Sequence, residues 1–170
     1  MTDASDAMPE FDPMVFRRTL GSYPTGVTII TADHPDGPVG LAVGTFTSVS
    51  LDPPLIAFLP DKGSSSFPKI QEAGSFCANI LAADQLDVCK TFAARGTDKY
   101  ASIGWHAGVT GSPILDGALA WIDCDIDRID EAGDHWFVVG RVRELLVARD
   151  DVGPLLFFRG AYGDFEALPT

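Results

Sequence analysis

The chain has 170 residues, 46% of them hydrophobic, and a formal net charge of −12 at pH 7. This length and hydrophobic content suffice for one domain with a sizeable core, which we expect to span residues 13–170. So acidic a chain is not expected to bind nucleic acid or anionic membranes in general. Any phosphate must be bound locally, by amides, hydroxyls and a few cations.

The cysteines and the hydropathy pattern indicate a reducing compartment. The three cysteines are widely spaced, without a CxxC pair or a Cys/His cluster, so we expect neither a disulfide framework nor a zinc site. There is no basic-then-apolar start and no apolar run of about 20 residues, so neither a secretory signal nor a membrane span is expected. We therefore predict a cytoplasmic protein, with a disordered acidic segment at residues 1–12.

The first elements in the chain are a helix and a β-hairpin. The Asp-Pro pair at 12–13 is typical of a helix start, and Gly21 is expected to end this helix. The β-branched run at 27–32 predicts a strand, and a turn rich in Asp, Pro and Gly connects it to a second strand at 39–46. His34 lies in this turn and is interpreted as an exposed loop histidine.

The stretch from Gly37 to Phe67 carries the main functional signal. In the strand at 39–44 every second residue is glycine or alanine, which leaves room for a flat ligand or a neighbouring backbone. Residues 45–50 contain four hydroxyls and are interpreted as a turn, ended by a Pro-Pro pair. A buried strand at 55–59 follows, and then the serines at 64–66 precede a helical segment and offer donors to an anion. This arrangement suits a planar, phosphate-bearing cofactor, although the same residues are common in ordinary turns.

The middle of the chain contributes short helices. Gly74 ends a helix over 67–73, and a strand at 75–81 is followed by a helix over 85–95, capped by the Ala-Asp pair before it. Residues 96–117 are irregular and rich in glycine. The Trp105-His106 pair within them is either a lid over a site or a packed loop anchor.

The C-terminal third is rich in strands. Runs at 119–129 and 135–147 flank a turn and predict a long β-hairpin, and 155–158 predicts a final strand. The strands, about six or seven, occur in runs rather than alternating with helices, which favours a mainly β antiparallel barrel over a doubly wound sheet. The glycine motifs of Rossmann and P-loop sites are absent, so a nicotinamide nucleotide would have to bind in another way.

Three separated motifs resemble one protein family. They are the run Phe16–Thr31 (FRRTLGSYPTGVTIIT), the stretch Gly40–Pro54 and the triplet Gly133-Asp134-His135. With these motifs in this order, the chain from about Phe16 to Tyr162 resembles the flavin reductase family, the NAD(P)H:flavin oxidoreductases that supply reduced flavin to two-component monooxygenases. The resemblance implies a split β-barrel, a homodimer with the flavin near the subunit interface, FMN or FAD as the flavin, and NADH or NADPH as the reductant.

The resemblance also implies which residues contact the flavin: Pro38, Val39, Gly40, Leu41, Ala42, Gly44, Thr45, Leu59, Pro60, Asp61, Ser65, Ser66, Thr91 and Phe92. By their chemistry, Thr45 and the two serines are able to donate to phosphate oxygens, and Lys62 and Lys69 are the nearest cations in sequence. Relatives often have Asn or Gln with Ser in place of Gly44-Thr45, and a long donor near Ser65. The choice between FMN and FAD therefore stays open.

The triplet at 133–135 is implied to lie beside the nicotinamide site. His135 would contact NAD(P)H as the catalytic residue and Asp134 would orient its imidazole, whereas without the resemblance a Gly-Asp pair is an ordinary turn. Phe158, Arg159 and Gly160 match the closing segment of the family, which also reaches the cofactors. Hydride would pass from nicotinamide C4 to flavin N5, with the protein positioning two rings and excluding water. Such chemistry needs no nucleophile motif, and GxSxG is absent.

Two alternatives remain at this point. A non-catalytic flavin-binding carrier or sensor on the same barrel would share every feature of the Gly37–Phe67 stretch. A barrel for pyridoxal-type substrates is disfavoured by the triplet at 133–135. It is also disfavoured by the lack of an identifiable aldehyde-linking lysine, because four lysines are interpreted as surface residues: Lys62, Lys69, Lys90 and Lys99.

Overall fold

The computed structural model describes residues 11–94, 96 and 98–169. Within these residues the chain is mainly β, with three short helices: α1 Pro13–Leu20, α2 Phe67–Ala73 and α3 Leu86–Ala93. The strands are β1 Thr25–Gly26, β2 Thr28–Ala32, β3 Val39–Val43, β4 Thr47–Leu51, β5 Pro54–Phe58, β6 Ser75–Ile80, β7 Trp105–Ala107, β8 Pro113–Leu115, β9 Ala120–Ala132, β10 His135–Val147, β11 Leu156–Phe158 and β12 Ala161–Gly163. Residues 1–10, most of the segment predicted to be disordered, lie outside the described residues.

Seven strands form one antiparallel sheet in the order β3-β2-β6-β9-β10-β5-β4. The two edge strands, β3 and β4, are consecutive in the chain and are joined by only three residues, 44–46. Such a connection spans at most about 14 Å, whereas a flat sheet of seven strands is about 29 Å wide from edge to edge. The sheet therefore has to curl until its edges meet, which confirms the antiparallel barrel predicted from the sequence.

Alternate residues of the strands face the inside or the outside of this barrel. On β2, Ile30 belongs to the interior cluster with Phe58 and Phe76, whose rings meet edge to face with centroids 5.0 Å apart. Its neighbour Ile29 points the other way and packs with Phe92 of α3. All five residues of β2 are consequently buried, and α3 is held against the outer face of the barrel.

The predicted ends of α1 and α2 are confirmed. Asp12 caps α1 by accepting a hydrogen bond from the amide of Met14 at 2.8 Å, and Gly21 follows the last residue of the helix. Gly74 ends α2 in the left-handed conformation, with φ at 71°, which glycine adopts without strain.

The predicted start of α3 at residue 85 differs from the structure by one residue, but the predicted cap is wrong. The helix begins at Leu86, after Gln85, and not at an Ala83-Asp84 cap. The Gln85 side chain instead reaches back and accepts a hydrogen bond from the amide of Ala82 at 3.1 Å. None of the described helices is long and apolar enough to cross a membrane.

Both predicted hairpins, β2–β3 and β9–β10, are confirmed, but five strands differ from the prediction: β1, β4, β7, β8 and β12. Residues 47–51 form the edge strand β4, not a turn. Its exposed hydroxyls hide the strand pattern from sequence. The region 96–117 contains the hairpin β7–β8, and β12 follows the predicted last strand. These three strands are only three residues long, too short for a periodic signal.

A buried amide ties β8 to the barrel. Asn79 on β6 is fully buried, and its Oδ1 accepts a hydrogen bond from the amide of Leu115 at 2.8 Å. Its Nδ2 donates to Thr31 Oγ1 at 3.0 Å and lies 3.3 Å from the carbonyl oxygen of Pro113. Buried polar groups that lose their partners are costly, so this one side chain stabilises the attachment of the 104–117 region.

We expect Asn79→Ala to lower the free energy of unfolding by about 1–3 kcal/mol, because it leaves the buried Leu115 amide without its hydrogen-bond acceptor. Urea unfolding followed by circular dichroism measures this change. Ser48→Ala on the exposed strand β4 is the control, with an expected change within about 0.5 kcal/mol. Equal effects of the two substitutions would contradict the role given to Asn79.

Candidate active site

A single cleft of about 700 Å³ gathers most of the residues singled out in the sequence. One wall is β3 with the residues on either side of it, 38–45, and the opposite wall is the segment 59–66. The end of α3 and the turn at 98–100 close one side, and His135 lies at another. The volume is within the range of small-molecule and cofactor sites.

Gly40 is where β3, α3 and the turn after it converge. A Cβ on this glycine would lie 2.6 Å from Phe92 Cε1 and 3.0 Å from the carbonyl oxygen of Ile30. The small residue is therefore required by the approach of the helix, and the Phe92 ring forms part of the cleft wall. Gly44 is constrained similarly, since its Cβ would lie 2.9 Å from Thr25 Oγ1.

Lys99 and Tyr100 hold the free edge of β3, and sequence analysis did not identify either one. Lys99 Nζ donates to the carbonyl of Gly40 at 2.9 Å and to that of Phe92 at 2.8 Å, while the Tyr100 hydroxyl donates to the carbonyl of Val39 at 2.8 Å. Lys99 is partly buried in the cleft wall, so its interpretation as a surface lysine is wrong, and burial lowers its pKa. No described carboxylate forms an ion pair with it. In the sequence, the only signal that could have identified Lys99 and Tyr100 is an Asp-Lys-Tyr triplet in a loop.

The hydroxyl groups around the cleft differ in whether they already form hydrogen bonds within the protein. Thr45 Oγ1 donates to the carbonyl of Leu59 and accepts from its amide, both at 3.0 Å, so this hydroxyl joins the two walls. Ser66 precedes α2 but makes no cap bond to it, and the Ser65 and Ser66 hydroxyls have no hydrogen-bond partner among the described residues. These two serines are therefore the groups most available to a ligand anion.

His34 links the β2–β3 turn to α2, the helix that carries Lys69. The prediction of an exposed loop histidine is wrong, because only 9% of His34 is accessible. Its Nε2 lies 2.9 Å from Glu72 Oε2, and its Nδ1 accepts from the amide of Asp36 at 3.1 Å. The Asp36 carboxylate in turn bonds Lys69 Nζ at 3.0 Å, and Lys69 lines the cleft. The β2–β3 turn and α2 are thus joined through one polar network.

His135 stands at the start of β10, beside the segment 60–62. Its Nδ1 is 2.7 Å from Asp134 Oδ1, and hydrogen bonding to His135 lowers the pKa of Asp134. A β-bridge joins His135 to Asp61, and the amide of Lys62 donates to the carbonyl of Asp134 at 2.9 Å. His135 lines the cleft, whereas Asp134 lies just outside it and orients the imidazole.

Besides Asp134, four of the predicted cofactor-binding residues are not in the cleft of this chain. The Thr91 hydroxyl donates to the carbonyl of Asp87 within α3 at 2.9 Å. Phe158, Arg159 and Gly160 form the β11–β12 turn, and Phe158 lines a separate, mostly apolar depression of about 350 Å³. Arg159 has a φ of 49°, uncommon for a residue other than glycine, and its amide donates to the carbonyl of Gly21 at 3.1 Å.

The Trp105-His106 pair lies on β7 and packs as a loop anchor. The Trp105 ring meets Tyr100 edge to face at 5.9 Å, and Tyr100 meets Phe92 in the same way at 5.3 Å. His106 Nδ1 lies 3.5 Å from Asp116 Oδ1. Neither Trp105 nor His106 lines the cleft, so the pair supports the cleft wall through Tyr100.

Comparison with known proteins points to one family. The flavin reductase-like domain family matches residues 20–166. A flavin reductase of Pseudomonas putida is 55% identical over 158 residues, covering 92% of each chain. The flavin-dependent monooxygenase reductase subunit HsaB of Rhodococcus jostii is 45% identical over 168 residues, which cover 99% of this chain and 86% of HsaB.

A solved structure extends the likeness to the fold. Nitrilotriacetate monooxygenase component B from Mycobacterium thermoresistibile superposes with a TM-score of 0.87 at 45% identity, covering 92% of this chain and 90% of that one. The split β-barrel architecture implied by the sequence motifs is confirmed.

We expect Gly40→Ala to lower the free energy of unfolding by about 1–3 kcal/mol, because the added methyl group overlaps the Phe92 ring. Gly26→Ala is the matched control, since a Cβ there meets nothing within 4 Å. Replacing Phe92 by Leu in the Gly40→Ala background should recover part of the loss. Urea unfolding measures all three variants, and equal losses at Gly40 and Gly26 would contradict the tight helix–strand contact.

Proposed function

Because the chain belongs to the flavin reductase-like domain family, we propose that the cleft between β3 and the segment 59–66 binds the flavin and that His135 contacts the nicotinamide nucleotide. The protein is an NAD(P)H:flavin oxidoreductase that reduces FMN or FAD and supplies the reduced flavin to a partner monooxygenase. One observation carries the assignment of the site. Every flavin contact expected from the sequence except Thr91 lines the same cleft as His135.

The residues of the cleft fit a flavin chemically. The Ser65 and Ser66 hydroxyls and the Lys69 ammonium lie together on one wall and would hold the phosphate. Thr45 contributes through its position, because its hydroxyl already bonds Leu59. The segment 38–45, which includes β3, would lie against the ring. When bound, the flavin supplies the chemistry of accepting a hydride from the reduced nicotinamide.

The hydrogen bond between Asp134 and His135 selects the tautomer of the imidazole. Asp134 has a lowered pKa and is therefore a carboxylate acceptor at neutral pH. An acceptor 2.7 Å from Nδ1 requires a proton on that nitrogen, so Nε2 is the nitrogen left for the nucleotide. The imidazole is thus held in one orientation, and its contribution is positioning of the nucleotide.

We expect the purified protein to oxidise NADH or NADPH only when FMN or FAD is added, which the loss of nucleotide absorbance in the near ultraviolet measures. His135→Ala should lower kcat/KM by about tenfold or more, the scale of loss of one positioned group. His106→Ala is the control, because His106 lies outside the cleft. Bound flavin that co-purifies without any turnover would instead identify a carrier or sensor.

The homodimer expected from the sequence remains part of the proposal. Large apolar side chains are exposed on α1, on the end of β10 and after β12: Phe11, Met14, Phe16, Leu20, Leu145, Leu146, Val147, Phe165 and Leu168. Leu51 at the end of the edge strand β4 is 95% exposed. Apolar surface of this extent is typical of an interaction face, and α1 has no buried residue at all. A second copy packed on these faces would cover them.

A dimer would also account for the residues that lie away from the cleft. Phe158, Arg159 and Gly160 do not line the cleft of their own chain, although the family motif assigns them to the cofactors. In a two-fold dimer the same turn of each copy contacts the other copy. We therefore assign the β11–β12 turn to the cleft of the partner subunit. The cytoplasmic location expected from the sequence remains part of the proposal.

Mixed dimers test this assignment. We expect His135→Ala and Arg159→Ala each to lose about tenfold or more of kcat/KM, the loss of one positioned group. When the two variants are co-expressed, half of the dimers are mixed and each has one intact cleft, so activity should return to about a quarter of wild type. If activity does not recover in the mixed dimers, or if light scattering shows a monomer, the assignment of the β11–β12 turn to the partner's cleft is contradicted.

A further inference from the structure

The cleft has two ends, which its contacts distinguish. At one end the Thr45 hydroxyl bonds the backbone of Leu59, and Asp61 forms the β-bridge with His135. The other end lies at the start of β3, six residues before Thr45 and up to about 20 Å from it along an extended chain. Because His135 is assigned to the nicotinamide nucleotide, a flavin ring that accepts the hydride would lie towards the first end. The phosphate of the flavin would then extend towards the start of β3.

The cations of the cleft lie at this second end. Among the described residues that line the cleft of one chain, two are lysines or arginines, Lys69 and Lys99. Lys69 Nζ bonds the carboxylate of Asp36, three residues before β3, at 3.0 Å. Lys99 Nζ donates to the carbonyl of Gly40, the second residue of β3, at 2.9 Å. Lys69 extends from α2 and Lys99 from the turn after α3, so two different elements bring positive charge to the place expected for the phosphate.

The two lysines differ in whether a carboxylate offsets their charge. Lys69 is paired with Asp36. Lys99 forms no ion pair with a described residue, and the carboxylate of its neighbour Asp98 accepts from the amide of Tyr100 instead, at 3.1 Å. Burial lowers the pKa of Lys99, which is the direction expected for an ammonium that is partly withdrawn from water. A bound anion would supply the missing counter-charge.

Lys99 also retains a donor. An ammonium has three N–H groups, and two of them donate to the carbonyls of Gly40 and Phe92, at 2.9 and 2.8 Å. No described residue accepts from the third. The two backbone bonds hold the ammonium in the cleft wall before a ligand arrives, so little side-chain freedom remains to be lost on binding.

Resting on the function proposed above, we propose that Lys99 is a flavin-binding residue and supplies the positive charge that recognises the flavin phosphate, together with the hydroxyls of Ser65 and Ser66. Lys69 contributes less, because the Asp36 carboxylate already offsets its charge. The preference of the protein for a phosphorylated flavin over an unphosphorylated one should therefore depend on Lys99 more than on Lys69.

Riboflavin, which is FMN without the phosphate, provides the test. The ratio of the two dissociation constants separates recognition of the phosphate from packing of the ring, and quenching of flavin fluorescence on titration measures both constants without turnover. We expect wild type to bind FMN about tenfold or more tightly than riboflavin, and Lys99→Met to lower this preference about tenfold, as for one charge-assisted hydrogen bond. Lys99→Arg keeps the charge and should retain part of the preference. Lys99→Gln keeps donors without the charge and replaces Lys99→Met if that variant does not fold.

Three further variants separate charge from structure. Tyr100→Phe removes the neighbouring bond to β3, at the carbonyl of Val39, without changing any charge. It should weaken FMN and riboflavin by the same factor. Lys69→Met should lower the preference less than Lys99→Met. Lys90→Met changes the net charge equally, but Lys90 lies 3.7 Å from Asp87 on α3 and outside the cleft, so the ratio should stay at the wild-type value.

The inference is overturned, with the reductase function intact, by any of three results. Wild type binds the two flavins equally, removal of the Lys99 charge weakens both by the same factor, or Lys90→Met changes the ratio as much as Lys99→Met. A loss shared by both flavins would identify Lys99 as a support of the cleft wall only. If wild type binds neither FMN nor riboflavin, the proposed function is rejected together with this inference.

Discussion

The fold depends on closing a seven-stranded sheet through the short connection at 44–46, between its two edge strands. Because this connection is shorter than the flat sheet is wide, the edges must meet. The Thr45 hydroxyl then bonds both the amide and the carbonyl of Leu59. This closure brings β3 opposite the segment 59–66, and the cleft is the space that remains between them. The site is thus a product of how the barrel closes rather than an addition to it.

The cleft is built from hydrogen bonds that the protein makes with itself. An edge strand leaves backbone groups open, and on β3 the carbonyls of Val39 and Gly40 are bonded by Tyr100 and Lys99. The absent side chain at Gly40 lets Phe92 pack close, and the same lysine bonds the end of α3. The wall is therefore formed before any ligand binds, which reduces the ordering that binding would otherwise require.

The enzyme acts by holding two substrates, so the surfaces beyond the cleft matter as much as its lining. Exposed apolar side chains on α1 and on β10 suit a second copy of the chain.

The sequence by itself determined the local elements: the capped helix at Pro13, the β-branched strand β2, both hairpins and the small residues of β3. These follow from patterns within a few residues of one another. The motifs at 40–54 and 133–135 also indicated the family and most of the cleft. Only the tertiary structure decided that 47–51 is an edge strand, that His34 is buried against Glu72, and that the β11–β12 turn lies away from its own cleft. The physical reason is distance along the chain. Lys99 bonds a carbonyl 59 residues away, and no local pattern specifies which distant residues the closure of a barrel brings together.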